Sequence, residues 1–177
     1  MPSTQFYIDL MAAKSAEEIV LSTFSSLAPE YTFEDVSSCR NYYHRGDIRA
    51  ITPDGREVCI EVKQDGRIAA TGNVLCEDKV HYYNSGMEKG NFHSDYEIYC
   101  VYSPQKRKLV VMDFDVLRRN YKSGTYKIIH HESQTTYAYL LSLDTIESLG
   151  GIIAIIDCNT NTLTYEKSRN WTTQHTA

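Results

Sequence analysis

The sequence contains no long apolar stretch. Its longest apolar run, Ile152–Ile156, is far shorter than the roughly 20 residues that a membrane-spanning helix requires. The N-terminal segment has no basic region ahead of an apolar one and carries Asp9, which argues against a secretory signal peptide. We therefore expect no association with a membrane.

The sequence also lacks the paired cysteines of a disulfide framework or a zinc site. Cysteine occurs five times, an odd number, and no two cysteines have metal-ligand spacing. Several lie within apolar runs, where a reduced cysteine behaves as a small apolar core residue. This usage predicts a reducing compartment, and we expect a cytoplasmic protein. The five residues are Cys39, Cys59, Cys76, Cys100 and Cys158.

Positive charge is scarce as well. The formal net charge is −5, whereas a nucleic-acid-binding protein is expected to be more basic. Basic residues do cluster at 40–49, 106–108 and 118–127, although such clusters usually mark a solvated surface. The overall charge therefore gives no sign of a nucleic-acid ligand.

Length and composition indicate one folded unit. The chain has 177 residues, of which 42% are apolar and 23% charged, as in ordinary globular domains. This length is sufficient for a substantial hydrophobic core. No internal repeat, low-complexity tract or linker divides the sequence. We therefore expect a single domain over residues 1–177.

The most informative segment is a predicted hairpin, Gly46–Lys63, which reads GDIRAITPDGREVCIEVK. Asp47 precedes an apolar run, and Pro53-Asp54-Gly55 is a typical turn sequence. The residues after this turn alternate between polar and apolar, as in a half-buried strand. A hairpin with this turn places Asp47 beside Glu61 and Lys63 at one end of a sheet.

Two carboxylates and a lysine in this arrangement are suited to metal-assisted hydrolysis of phosphodiesters. Residues two apart in a strand share a face, so Glu61 and Lys63 point the same way while Val62 packs behind them. Mg²⁺ prefers oxygen ligands, which Asp47, Glu61 and the Val62 carbonyl would supply. A bound metal lowers the pKa of its water, and Lys63 would orient that water or stabilise negative charge on the phosphate. The alternative is an exposed edge hairpin with a surface Glu–Lys pair and no catalytic role, since Glu-x-Lys alone is a common sequence.

A helix is predicted over residues 4–27, with a break near Ser15, because Ser15 and Glu18 fit a capping box. The apolar stripe of this helix includes Val20, and Glu17 falls in the same stripe. A carboxylate on a buried face is costly unless it is paired or binds a metal. Glu17 is therefore either a third carboxylate of the metal site or a glutamate at the rim of the stripe, and the sequence favours neither.

Strands and short helices follow in mixed order along the rest of the chain. This order predicts an α/β or α+β fold in which a mixed β-sheet is flanked by helices. The expected strands are 31–36, 74–76, 96–102, 108–112, 126–129, 137–143, 152–156 and 163–167, and the expected short helices are 113–121 and 145–149.

The motif residues resemble those of the PD-(D/E)XK, or restriction-endonuclease-like, nuclease superfamily. The matching residues are Glu17 in the first helix, Asp47 at the start of a strand, and Glu61-Val62-Lys63 at the end of the next strand. Gly46 stands where the family usually has proline. The resemblance extends over about residues 13–122. Parts of this segment resemble phage- and prophage-type members of the superfamily.

The resemblance implies a restriction-endonuclease-like core and cleavage of phosphodiester bonds that depends on Mg²⁺ or Mn²⁺. It implies Asp47, Glu61 and the Val62 carbonyl as metal ligands, Lys63 as the catalytic lysine, and Glu17 as a helix-borne catalytic residue that binds the metal directly or through water. The implied substrate is nucleic acid, with DNA favoured over RNA. The implied enzyme is a nuclease that cuts either within a strand, as an endonuclease, or at its end, and many enzymes of this type act as homodimers.

Two alternatives stay open at this stage. The first is an RNA endonuclease of the same fold, because the metal chemistry acts on the phosphate of either nucleic acid. The second is a catalytically inactive scaffold that binds nucleic acid or a protein. The complete set of motif residues weighs against this second alternative, and the acidic net charge weighs slightly for it.

Five further positions are weaker candidates. Gln64 follows the lysine directly, Glu77 ends an apolar run that lies either near the motif or far from it, and His44 is three residues before Asp47. The pair His130-His131 superficially suggests a metal site, but adjacent residues of a strand point to opposite faces and rarely bind one ion.

Overall fold

The computed structural model of the protein describes residues 4–42 and 44–166. Four helices lie in these ranges: α1 Thr4–Leu27, α2 Ile68–Thr71, α3 Phe114–Asn120 and α4 Leu143–Ser148. Eleven strands lie in the same ranges: β1 Thr32–Asp35, β2 Ile48–Ile51, β3 Glu57–Gln64, β4 Asn73–Tyr82, β5 Gly86–Lys89, β6 Ile98–Ser103, β7 Lys108–Asp113, β8 Thr125–His130, β9 Gln134–Ser142, β10 Ile152–Asp157 and β11 Thr162–Glu166.

Seven strands form the central sheet, in the order β1-β2-β3-β6-β7-β10-β11. Its neighbouring strands are antiparallel except for β3 and β6, which are parallel. In this parallel pair Glu61 lies opposite Tyr99, and Lys63 lies opposite Val101. The prediction of an α+β fold with a mixed sheet flanked by helices is confirmed.

The central sheet is covered on both faces. Helix α1 packs against one face through Ala16 and Val20, which join the apolar residues of β2, β3, β6 and β10 in one core. The other face carries a second core, to which β4, β9, α3 and α4 contribute. Strand β6 lies between these layers and is buried at every residue, which explains its nearly continuous apolar sequence.

A second sheet of four strands, in the order β5-β4-β9-β8, forms the outer layer on the side opposite α1. Strand β4 is the long element of this sheet, and it pairs with β9 from Asn73 to Tyr82. The pairing shifts at a bulge between Glu77 and Lys79. Asp78 is the extra residue of this bulge, because β9 has no residue opposite it. Bulges change the direction of side chains, so Glu77 and Asp78 have different surroundings.

Several predicted elements differ from the structure. Helix α1 continues through Ser15, so the predicted break and capping box at Ser15 are wrong. The expected strand 74–76 is only part of β4, and β5 was not predicted. The last expected strand extends to Lys167, which lies outside the described residues. Within the described ranges, no helix is long and apolar enough to cross a membrane.

Asp78 is a buried carboxylate that ties three elements together. Its Oδ1 accepts a hydrogen bond from the Tyr121 hydroxyl at 2.6 Å and lies 3.2 Å from Nε2 of His93. Burial alone would raise the pKa of Asp78, but the hydrogen bonds from Tyr121 and His93 outweigh it and hold the pKa below its usual value. The ionised form of Asp78 therefore stabilises the fold.

Replacing Asp78 with asparagine is expected to lower the free energy of unfolding at pH 7 by about 1–3 kcal/mol. Because the pKa of Asp78 is depressed in the folded protein, its contribution is complete above the unfolded value of about 4 and is lost as the pH falls through the folded value. Urea unfolding of wild type and variant between pH 3 and 7 should show the difference shrinking at the acid end. Asp95→Asn, at an exposed position, is the control, and a difference that is constant with pH would contradict this role of Asp78.

Candidate active site

The backbone at the start of β2 fixes the position of Asp47. The Asp47 N–H donates to the Ile60 carbonyl at 2.9 Å, which continues the antiparallel pairing of β2 with β3. The Asp47 side chain then turns toward β3, where Oδ2 accepts a hydrogen bond from the Val62 N–H at 2.9 Å. The carboxylate thus occupies the place that a backbone carbonyl of a longer β2 strand would take.

Gly46 makes this arrangement possible. Its φ is +109°, a backbone conformation that L side chains rarely adopt and that proline, with φ near about −65°, cannot adopt. A Cβ atom at Gly46 would also lie 2.5 Å from the carbonyl oxygen of Ile60. The backbone therefore passes close against β3 immediately before Asp47. This geometry explains why glycine stands where the resemblance leads one to expect proline.

Replacing Gly46 with alanine is expected to lower the free energy of unfolding by about 2–4 kcal/mol, because the new Cβ both clashes with backbone and strains φ. Gly55→Ala is the matched control, since Gly55 also has a positive φ of +83° but a Cβ there would meet no atom within 4 Å. That control should cost only about 1 kcal/mol. Equal losses for the two variants in urea denaturation would contradict the role given to Gly46.

Glu61 and Lys63 lie on the same face of β3 and form an ion pair. The Lys63 Nζ is 2.7 Å from Oε1 of Glu61, and the Glu61 side chain is only 13% exposed. Burial opposes the charge on Lys63, but the attraction and hydrogen bond of Glu61 outweigh it and raise the pKa of Lys63. Lys63 is therefore a permanent cation beside the carboxylates at neutral pH.

The carbonyl of Val62 faces the same end of the sheet as Asp47. Within a strand, the N–H and the C=O of one residue point to the same side. Because the Val62 N–H points toward Asp47, the Val62 carbonyl oxygen is directed toward the space beyond the start of β2. The Val62 side chain is 5% exposed and packs under α1. A carbonyl oxygen is therefore available beside the Asp47 carboxylate.

Glu17 is buried on the face of α1 that packs against the central sheet, between Ala16 and Val20. Its Oε2 lies 2.8 Å from Nζ of Lys14, which also donates to the Ser37 hydroxyl. The glutamate is therefore not at the exposed rim of the stripe. Lys14 was not foreseen as a neighbour of the motif, although its spacing of three residues before Glu17 on a helix is the signal that indicates the contact.

Burial and the charges of neighbouring residues strongly change the pKa of Asp47. Burial raises the pKa of Asp47 to about 7, and the charge of Glu61 adds to this effect. The hydrogen bond from Val62 and the charge of Lys63 act in the opposite direction, and Glu17 contributes a further small rise. Glu17, Glu61 and Lys63 therefore all act on the charge of Asp47. The positive charge of Lys63 does not compensate fully for the burial of the Asp47 carboxylate.

A cavity of about 300 Å³ opens between α1 and the ends of β2 and β3. The small side chains of α1 leave room for it, and Glu17 and Asp47 lie in its wall with the end of β3. Glu61 is not part of this wall, although its partner Lys63 is. The lining residues are Ala12, Ala13, Glu17, Asp47, Val62, Lys63 and Gln64.

The weaker candidates are distributed unevenly around this cavity. Gln64 lines it, and the charge of Glu77 helps to raise the pKa of Lys63, so β4 brings Glu77 near the lysine. The carbonyl of His44 accepts a hydrogen bond from the Asp95 N–H in a loop before β2. His130 ends β8 in the outer sheet, where its Nδ1 lies 3.1 Å from the Thr135 hydroxyl.

In the part of the chain that the structure describes, no group of three or more His, Cys, Asp or Glu side chains is arranged to hold a metal ion. The reason is visible in the contacts, since Glu17 is paired with Lys14 and Glu61 is paired with Lys63. Glu17 and Asp47 line the cavity, and the Val62 carbonyl is directed toward the space beside Asp47, whereas Glu61 lies outside the wall. A metal ion at this site would therefore require Glu61 to turn away from its lysine.

Comparison with known proteins gives only distant similarities. No family model matches the sequence, and no curated protein matches it. A bacterial homing endonuclease is 14% identical, with a TM-score of 0.48 over 85% of this chain and 89% of that one. A nuclease from a fusselovirus is 8% identical, with a TM-score of 0.39 over 84% of this chain and 93% of that one. At these levels of similarity neither structure assigns an activity to this chain.

Proposed function

We propose that the protein is a nuclease of the PD-(D/E)XK type that hydrolyses phosphodiester bonds with Mg²⁺ or Mn²⁺. The observation that carries this proposal is the convergence of Asp47 with the strand end Glu61-Val62-Lys63 beside an open cavity. A buried carboxylate with a pKa of about 7 is costly in the protein alone. The charge of a divalent cation would offset the energetic cost of burying the Asp47 carboxylate, which gives a reason for a carboxylate at this position.

The donor set fits a hard divalent cation. Two carboxylates and one backbone carbonyl supply oxygen ligands, and Mg²⁺ keeps several waters when it is held by so few protein groups. Asp47 and the Val62 carbonyl face the same space, and Glu61 would join them by exchanging its bond with Lys63. Glu17 would hold one of the metal-bound waters from α1. No nitrogen or sulfur ligand is required, which favours Mg²⁺ or Mn²⁺ over zinc.

The residues of the chain have separate roles in this proposal. A divalent cation held here would lower the pKa of its water and neutralise charge on the phosphate. Lys63, released from Glu61, orients the attacking water or donates to the phosphate oxygen, and its raised pKa keeps it charged. Asp47 and Glu61 fix the position of the cation relative to Lys63. Gln64 and the two alanines of α1 shape the cavity in which the phosphate is held.

The substrate class is proposed on the resemblance rather than on the geometry. We place DNA ahead of RNA, and we propose endonuclease rather than exonuclease activity. Cutting both strands of a duplex needs two sites or two events, so a homodimer is the proposed form for duplex cleavage. The five cysteines are unpaired, as expected for the cytoplasmic location that we propose.

The test is cleavage of a panel of labelled substrates by the wild-type protein. Single-stranded, double-stranded and branched DNA and single-stranded RNA are each incubated with Mg²⁺, Mn²⁺ or EDTA. We expect cleavage with either metal and none with EDTA, and the cleaved members of the panel identify the substrate. Circular DNA in the same panel distinguishes internal from terminal cleavage. No cleavage of any substrate with either metal would contradict the proposal.

The second candidate is a scaffold that has lost catalysis. The observation that favours it is the pairing of both Glu17 and Glu61 with lysines, which leaves no ready-made group of three metal ligands in the described residues. Thermal unfolding with and without Mn²⁺ separates the two candidates. A metal site raises the melting temperature in a way that depends on Asp47, whereas an inactive scaffold shows no such rise.

A further inference from the structure

A second cavity, of about 410 Å³, lies on the side of the molecule opposite α1. Its wall comes from the short helical turn 91–93 after β5 and from the end of α3 with the turn that follows it. Four of its six lining residues are basic, although the protein as a whole carries a net charge of −5. The lining residues are Phe92, His93, Arg118, Arg119, Tyr121 and Lys122.

The floor of this basic cavity is built rigidly. Phe92 and Tyr121 are both buried, and their ring centroids lie 5.1 Å apart. The Tyr121 hydroxyl is held by Asp78, which also contacts His93. These contacts fix the backbone that carries the basic residues. The floor of the cavity therefore belongs to the hydrophobic core, and the basic side chains rise from it.

The cations at the rim are only partly neutralised. Arg118 pairs with Asp115 at 2.6 Å, and the Arg119 Nε donates to the Asp115 carbonyl at 3.0 Å. Within the described residues Arg119 forms no ion pair with a carboxylate. Lys122 is 63% exposed, with its Nζ 3.9 Å from Asp78, and it lies over the Tyr121 ring at 5.5 Å. Two guanidinium groups and an ammonium group thus line the cavity, and the buried carboxylate of Asp78 lies behind Tyr121 and His93.

The basic cavity and the candidate active site are connected through β4. Tyr99 lies opposite Glu61 on β6, and its hydroxyl is 3.5 Å from the Leu75 carbonyl of β4. Farther along β4, Asp78 contacts Tyr121 and His93 of the basic cavity. The bulge at Glu77 and Lys79 is the point where β4 changes from one site to the other. Phe92 of the cavity floor packs against Tyr99, with ring centroids 5.4 Å apart. Strand β4 therefore joins the surroundings of the two sites within one molecule.

We propose that the basic cavity binds a backbone phosphate of the nucleic acid, at a distance along the strand from the bond that is cleaved. Arginine presents a planar fork that matches phosphate oxygens, and lysine adds a point charge. The aromatic floor excludes water from one side, which strengthens these contacts. This inference rests on the proposed function, because only a polymeric phosphodiester has a second phosphate to place there. It gives the basic run at 118–127 a role beyond that of a solvated surface.

Binding and cleavage measured on the same variants test this inference. Arg119→Gln and Lys122→Gln are combined, since both side chains lie at the rim of the basic cavity. Lys106→Gln combined with Lys108→Gln removes the same charge from the exposed end of the β6–β7 hairpin and is the matched control. Fluorescence anisotropy with labelled DNA in Ca²⁺ or EDTA gives affinity as a function of salt, and thermal unfolding checks that each variant folds.

The cavity variant is expected to bind DNA about tenfold more weakly or worse, with a salt dependence reduced by about one to two released ions. Its KM for cleavage should rise by a similar factor while kcat changes little, since none of the residues that line the basic cavity lines the cavity beside Lys63. The control variant should match wild type. If the cavity variant binds like its control, the inference is overturned.

Failure of the proposed nuclease function can be distinguished from failure of the inference on the basic cavity. Wild type that binds DNA but does not cut it with any metal would remove the nuclease proposal, and the affinity difference between the two variants would still decide the inference. Wild type that neither binds nor cuts any substrate of the panel would overturn both.

Discussion

Replacing Lys63 with methionine is expected to lower the rate of cleavage by about 10²–10³-fold, the usual cost of removing one group that stabilises charge in a transition state. Methionine keeps most of the length of the side chain but has no charge. The loss should appear in kcat, because Lys63 acts on the reacting phosphate or on the attacking water. Single-turnover cleavage at saturating Mg²⁺ is the measurement.

Removal of Lys63 also leaves Glu61 without its partner at a position that is only 13% exposed. Some loss of stability is therefore expected, and a second variant keeps the prediction testable. Lys63→Arg retains the charge and the ion pair but displaces the donor, so it should fold like wild type and still cut poorly. Lys79→Met, on the exposed side of β4, is the control for the substitution itself. Cleavage by Lys63→Met at the rate of this control would contradict the role of Lys63.

Replacing Asp47 with asparagine is expected to raise the stability of the protein relative to wild type in the absence of metal and to lower it relative to wild type in the presence of metal. Asparagine retains an oxygen that accepts the hydrogen bond from Val62 but removes a charge that is buried beside Glu61. In EDTA the variant should therefore be more stable than wild type, by about 1–2 kcal/mol. With Mn²⁺ at about 100 times its dissociation constant, wild type should gain about 2.7 kcal/mol, or a rise of about 5–10 °C in melting temperature, and the variant little or nothing.

Asp95→Asn is the control for Asp47→Asn, because it removes one carboxylate from an exposed position. This control should keep the stabilisation by Mn²⁺ and should be unchanged in EDTA. Stabilisation of Asp47→Asn by Mn²⁺ as strong as that of wild type would contradict a metal site at Asp47. A variant less stable than wild type in EDTA would show that Asp47 is a structural residue and not a destabilising one.

The candidate site could be inferred from the sequence because its central part is local. The turn Pro53-Asp54-Gly55 and the alternation that follows it determine which residues of β2 and β3 lie opposite each other. Ile48 opposite Ile60 then brings Asp47 next to Glu61 and Val62 without any knowledge of the rest of the chain. Short-range pairing of this kind depends on turn type and side-chain period, which a single sequence contains.

The remaining features depend on contacts between distant segments. The parallel pairing of β3 with β6 joins residues that are far apart in the chain, with Ile60 opposite Ile98, and no local pattern specifies it. The basic cavity likewise joins His93 to the end of α3 through Asp78, which no spacing rule predicts. The predicted break at Ser15 failed for a different reason. The packing of α1 on the central sheet outweighs the local preference of serine for a helix start.

The position of a bound metal ion tests the proposed active site most directly. Crystals of the wild-type protein grown or soaked with Mn²⁺ give an anomalous signal that locates the ion without reference to activity. We predict one strong peak at bonding distance from the Asp47 and Glu61 carboxylates and the Val62 carbonyl, with the Lys63 Nζ moved away from Glu61. A peak elsewhere, or no peak at this position at saturating Mn²⁺, would contradict a metal-dependent site built on Asp47 and Glu61.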